Sequence, residues 1–188
     1  MIMNTLIIFD CFGVIFDEIA PVFFSRYLPD EQAAKVKDKI FIPADLGELE
    51  YEQIFEKISQ EMHMDKEDIK KEWEDLIRLR EEMIPVIEGL REKADIALLS
   101  NAPLGFVEMI FNQHNLFRLF DKTVISCNVK MAKPDPMIYK YCVGQFGKKY
   151  DRIYMIDDNI KNLEHLPELG ITPIHFTDIE SMLKELNT

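Results

Sequence analysis

Five short apolar runs constrain the fold more than anything else in this chain. Residues 5–9 (TLIIF), 96–99 (IALL), 123–126 (TVIS), 153–156 (IYMI) and 172–176 (TPIHF) are rich in β-branched and aromatic side chains and too brief for helices. Each reads as a buried strand. Stretches with helical spacing lie between and after them, at 85–93, 103–114, 136–146, 160–169 and 178–186. Such alternation implies an α/β, Rossmann-like parallel sheet covered by helices on both faces, with ligands beyond the carboxyl ends of the strands.

Residues 18–82 interrupt that pattern. Charged and apolar residues recur at helical spacing over 21–27, 31–40, 51–62 and 66–82, with breaks at Pro29, Pro43 and Gly47. The expected organisation is a core of residues 1–17 and 83–188, carrying a helical cap of residues 18–82 inserted after the first strand.

With 47% hydrophobic and 30% charged residues the chain reads as globular, and its net charge of −12 repels phosphate backbones and anionic headgroups. Neither nucleic acid nor a membrane is an expected partner. No apolar run approaches the roughly 20 residues of a spanning helix, and the start lacks a secretory pattern, so a cytoplasmic protein, monomeric or weakly dimeric, is expected. Cys11, Cys127 and Cys142 lack CxxC spacing and read as buried thiols, and His63, His114, His165 and His175 lack ligand spacing.

The informative residues follow the strands. Asp10 ends the first, Ser100-Asn101 the second, Asp157-Asp158-Asn159 the fourth, and Lys133-Pro134 comes shortly after the third. Singly, each has a plain alternative: Ser100 and Asn101 as caps of the next helix, Lys133 as a solvated loop charge, Asp157-Asp158 as an N-terminal cap. Together they converge on one rim of a doubly wound sheet. Three carboxylates there repel one another unless a cation intervenes, and Mg²⁺, which takes oxygen ligands, is the natural one. With Lys133 it balances the three negative charges, a setting suited to phosphoryl transfer.

In these residues the chain resembles the haloacid dehalogenase-like hydrolase superfamily. The strings are IIFDCFGVIFD, LLSNA, KPDPMIY and YMIDDNIKN, and DLGELEYEQIFEKI is similar to the small cap of that superfamily. The resemblance implies Asp10 as the nucleophile that forms an aspartyl-phosphate, Ser100 and the Asn101 backbone as holders of the phosphoryl oxygens, and Lys133 as the neutralising cation. It implies Mg²⁺ ligation by Asp10, the Phe12 carbonyl and Asp158, with Asp157 close behind, and a supporting role for Asn162.

One position departs from the pattern: phosphatases of the superfamily have a second Asp where this chain has Phe12. A Mg²⁺-dependent phosphatase of a small phosphorylated molecule, similar to sugar-1-phosphate phosphatases, is the leading expectation. The alternatives are a 2-haloacid dehalogenase, against which Asp157-Asp158 and the lack of an Arg between Arg26 and Arg78 argue, and a non-catalytic phospholigand-binding protein. Asp17 and Glu18 are the candidates for a replacement proton donor. Phe23, Arg26, Asp45, Glu48 and Tyr51 join them as candidates for substrate contact, with plain packing the alternative for Phe23 and Tyr51. Pro167 falls inside an apparently helical stretch, which has to bend or begin again there, and the large Leu166 beside it suggests looser packing.

Overall fold

The computed structural model describes residues 4–186. Its sheet consists of β1 (Thr5–Phe9), β2 (Asp95–Ser100), β3 (Lys122–Ile125), β4 (Arg152–Asp157) and β5 (Thr172–His175), in the order β3-β2-β1-β4-β5. All four pairings are parallel. Ile7, Phe9, Ile96 and Leu98 pack into the core on one face, and Leu6, Ile8, Ala97 and Leu99 into that on the other. Burial on both faces is why these strands read as unbroken apolar runs rather than as alternating ones.

The segment inserted after β1 carries the helices α1 (Ala20–Ser25), α2 (Asp30–Asp45), α3 (Tyr51–Met62) and α4 (Lys66–Glu74). Each packs on the next. They gather around Trp73, which is stacked 5.5 Å from Phe41 and lies 5.6 Å from Phe23 and 6.2 Å from Phe55. Glu50 and Gln53 form a capping box at the start of α3, and the Asp65 carboxylate accepts from the Glu67 and Asp68 amides at the start of α4. Then follow α5 (Met83–Arg91), α6 (Phe106–His114), the single turn α7 (Ser126–Val129), α8 (Pro136–Gly144) and α9 (Ile179–Leu186). Among the described residues no helix is long and apolar enough to cross a membrane.

Several boundaries differ from the sequence expectation for identifiable reasons. The helix expected over 66–82 stops at Glu74, and the return segment pairs with the outgoing one: the Asp17 amide donates to the Arg78 carbonyl and the Arg80 amide to that of Ile15, both at 2.9 Å. α2 continues through Pro43 to Asp45. The stretch 160–169 is two 3₁₀ turns, Ile160–Asn162 and Leu166–Leu169, with Pro167 in the first turn of the second, where its missing N–H costs nothing. Leu166 is fully buried there, so its packing is not loose.

Candidate active site

β1 is central, and the chain reverses its direction of sheet growth between β1 and β4, the place where a doubly wound sheet opens a crevice. Phe9 lies in register with Ile156, and the Asp10 amide donates to the Ile156 carbonyl at 2.9 Å. That pairing seats Asp10 beside Asp157, and Lys133 joins them. Its Nζ lies 2.7 Å from Asp10 Oδ1 and 2.7 Å from Asp157 Oδ2, with the lysine side chain only 1% exposed. A solvated loop charge is thereby excluded.

The lysine is held by its backbone as well. Asn101 Nδ2 donates to the Lys133 carbonyl at 2.9 Å, and the Lys133 amide donates to Asn101 Oδ1 at 2.8 Å. Asn101 therefore ties the end of β2 to the lysine loop and does not cap α6, whose N-cap is Gly105. Asn162 Nδ2 donates to both Asp157 oxygens at 3.1 Å, and the Asn159 amide to Asp157 Oδ1 at 2.9 Å. Ser100 is fully buried behind the cavity wall, its hydroxyl in a long 3.4 Å bond to the Asn101 carbonyl.

Asp10, Asp157 and Asp158 offer oxygens within 4.8 Å of one another. Burial and then the Asp157 charge push the Asp10 carboxyl well above its usual range, against the pull of Lys133. Burial alone would depress the Lys133 ammonium, but Asp10 and Asp157 more than reverse this and hold it protonated. Burial, followed by Asp157, also raises Asp158. One ammonium does not balance three carboxylates.

The donor set fits a hard divalent cation on two observations. Asp158 Oδ1 is buried with no hydrogen-bond partner among the described residues. The Asp158 carboxylate also lies directly on Gly13, where an added Cβ would sit 2.1 Å from Cγ. With φ at +80°, Gly13 is in a conformation that other residues occupy at a cost of about 1–2 kcal/mol. Gly13→Ala is therefore expected to displace Asp158 and lower the thermal midpoint, as melting would show, and to weaken a divalent cation held at this donor set by tenfold or more, on the order of 1.4 kcal/mol, as calorimetric titration of Mg²⁺ would show.

A cavity of about 310 Å³ opens over this cluster, with Asp10, Asn101, Lys133 and Asp158 on the sheet side. Lys37, Phe41, Asp45 and Trp73 face them from the inserted helices, and Glu18 from the connecting segment. Burial, and next the Asp158 charge, raises Glu18 to about 7. Burial likewise raises Asp45 to about 7, opposed by Lys133 and Lys37. Of the remaining candidates, Asp17 is turned away, its Oδ1 accepting from Arg80 Nε at 2.8 Å. Arg26 pairs with Glu72 at 3.3 Å, Phe23 packs on Trp73, and Tyr51 stacks 4.5 Å from Phe106, outside the cavity lining. Phe12 stacks 5.3 Å from Phe106 and carries no proton to give.

Lys37, Phe41 and Asp45 recur every fourth residue, and with Asp38 and Ile42 they form the cavity face of α2. Sequence reading singled out only Asp45 among them. The mixed polarity of that face is the signal that would have found it, because a core-facing stripe is apolar throughout.

The profile of the haloacid dehalogenase-like hydrolase family matches residues 5–170. The bifunctional epoxide hydrolase 2 of Rattus norvegicus is 36% identical over 67 residues, 36% of this chain but only 12% of that protein, so the chain spans a small part of that relative's length. Among solved structures, a HAD family enzyme of Bacteroides thetaiotaomicron in complex with magnesium and inorganic phosphate shares 23% identity, with a TM-score of 0.75 over 96% of this chain and 98% of that one. The L-2-haloacid dehalogenase of Xanthobacter autotrophicus shares 14%, with a TM-score of 0.65 over 98% and 83%. At these identities the likeness is one of fold. The match over 5–170 and the sheet topology make this chain a member of the haloacid dehalogenase-like hydrolases.

Proposed function

We propose that this hydrolase is a Mg²⁺-dependent phosphatase of small phosphomonoesters. The observation that carries the reading is the charge imbalance at the rim: three carboxylates and one lysine, with Asp158 Oδ1 buried and unpartnered. In this reading residues 18–82 form a cap over a core of 1–17 and 83–188, and the substrate lies between them.

Asp10 Oδ1 is occupied by Lys133 and by the Cys11 amide at 2.6 Å, whereas Oδ2 has no partner among the described residues. Oδ2 is the oxygen free to attack phosphorus, giving an aspartyl-phosphate that water then opens. Lys133 opposes the rise that burial and Asp157 cause at Asp10, favouring its anion, and lies beside the phosphoryl group. Asn101, through its backbone amide on the cavity wall, binds phosphoryl oxygens, and Ser100, buried behind that wall, reaches them only by turning its hydroxyl away from the Asn101 carbonyl. Asp158, Asp10 and the Phe12 carbonyl would hold the magnesium ion, with Asp157 behind them. When bound, the ion supplies positive charge for the phosphoryl oxygens.

Phe12 leaves the leaving oxygen without its usual acid. Asp17 is committed to Arg80, so Glu18, on the cavity wall, is the acid placed to serve. Glu18→Gln is expected to slow hydrolysis of alkyl phosphates about 10²-fold and that of 4-nitrophenyl phosphate less than about threefold, since a nitrophenolate departs without a proton. Equal losses on both would remove Glu18 from this role.

The reading as a whole is tested by a panel of phosphomonoesters with and without Mg²⁺, beside halide release from 2-chloropropionate. Phosphate release that needs Mg²⁺ is the expected result. Metal-independent halide release would establish the dehalogenase instead, and binding of phosphorylated ligands without turnover the non-catalytic reading.

A further inference from the structure

Two chain segments connect the inserted helices to the sheet, and they run side by side. Phe16 bridges Leu79 in antiparallel fashion, between the two cross-segment bonds at Asp17 and Arg80. Arg80 does more than pair its backbone. Its Nε donates to Asp17 Oδ1 and its Nη1 to the Gly13 carbonyl, both at 2.8 Å. Its guanidinium lies over the Phe176 ring, 5.4 Å from the centroid, and the Phe176 amide donates to the Asp157 carbonyl at 3.0 Å.

One planar fork thus touches three bodies: the outgoing connection, the loop after the nucleophile and the end of β5. The Gly13 contact matters most, because Gly13 is the surface on which the Asp158 carboxylate rests. The space left for a Cβ at Gly13 is nil, so a small shift of this loop moves Asp158 too. An arginine is suited to this arrangement, since a lysine offers no rigid fork for two acceptors in fixed directions.

We propose that Arg80 is a positioning residue that couples the placement of the inserted helices to the ion site, by clamping Asp17 and Gly13 so that Asp158 is held ready for Mg²⁺. The proposal rests on the ion site described above. By linkage, whatever the clamp does for Mg²⁺ affinity, Mg²⁺ does in equal measure for the clamp. Ion binding therefore favours one placement of the helices over the sheet.

The test is calorimetric titration of Mg²⁺ alone into the full chain, without substrate. Arg80→Met is expected to weaken Mg²⁺ at least about tenfold, within the range of ordinary coupling between sites. Arg80→Lys, which keeps the charge and loses the fork, should fall nearly as far, and Asp17→Asn, which keeps an acceptor oxygen but takes the charge from one arm, less. In the wild type, Mg²⁺ should slow hydrogen exchange at the Asp17 and Arg80 amides, and this slowing should vanish in Arg80→Lys. A purely structural staple would lower the thermal midpoint and leave the dissociation constant unmoved, overturning the proposal. Wild-type affinity in Arg80→Lys would likewise overturn it, by reducing Arg80 to a distant charge. If the wild-type chain binds no Mg²⁺, the reading of the ion site falls, and the proposal with it. Should Arg80→Met not fold, Arg80→Lys and Asp17→Asn decide the matter.

Discussion

Replacing Asp10 by Asn is expected to lower kcat by about 10⁴-fold or more while leaving the thermal midpoint unchanged or higher. The first half follows from position. Asp10 Oδ2 is the carboxylate oxygen of the proposed nucleophile that has no partner among the described residues, and an amide cannot form the acyl-phosphate bond. The second half follows from the direction of its titration. Burial and the Asp157 charge raise the folded carboxyl well above its unfolded value. An acid raised in this way destabilises the fold at every pH above its unfolded value, about 3.9, because the native state holds the anion less willingly than water does. At pH 7 the anion is therefore a burden on the fold. Asn removes it, keeps an oxygen for the Cys11 amide and leaves Lys133 paired one-to-one with Asp157. Loss of activity with retained stability marks a residue placed for chemistry rather than for the fold. Activity surviving in Asp10→Asn would end both the phosphatase and the dehalogenase readings, and a large fall in the midpoint would show the charge balance to be wrongly drawn.

Much of the site is legible in the sequence because of where the sheet puts it. Strands buried on both faces are apolar along their middles, so Asp10, Ser100-Asn101 and Asp157 stand out where the strands end. Lys133 is legible only as a member of that set, since nothing local distinguishes it from a solvated loop charge. What the sequence conceals depends on partners far along the chain. The Asn101 side chain looks like a helix cap, and its bonds to the Lys133 backbone span 32 residues. Leu76, Ile77 and Leu79 continue a helical rhythm, yet after a last turn at residues 75–77 the chain is drawn out at 78–80 to pair with residues 15–17. Lys37 and Phe41 share the spacing of any amphipathic helix, so the period alone does not reveal that their face meets a cavity rather than a core. Glu18 and Asp17 are neighbours and equal candidates in sequence. Arg80, 63 residues beyond Asp17, separates them by taking one and leaving the other to the cavity.

The largest effect on stability is expected from Lys133→Met. The side chain is enclosed, and its ammonium touches two buried carboxylates at 2.7 Å each. Removing one member of a buried charge cluster leaves the others uncompensated, at a typical cost of 3–5 kcal/mol, roughly a third of the stability of an ordinary domain. The loss should depend on pH with a definite sign. Burial and Asp157 already push Asp10 up, and Lys133 is the group that opposes them. Without the lysine the folded carboxyl rises further above its unfolded value of about 3.9, so the deficit is small near about pH 3, where the acid is protonated in both states, and grows as the pH rises through about 4 toward about 7. Denaturant unfolding of wild type and variant across that range measures it. Mg²⁺ sharpens the result, because an ion that binds only the folded chain stabilises it by mass action and here also replaces the missing positive charge. Millimolar Mg²⁺ is therefore expected to raise the midpoint of Lys133→Met more than that of the wild type. A deficit flat with pH would instead assign the loss to packing of the lysine's methylenes. Equal Mg²⁺ shifts in both proteins would show that the ion and the ammonium do not neutralise the same carboxylates.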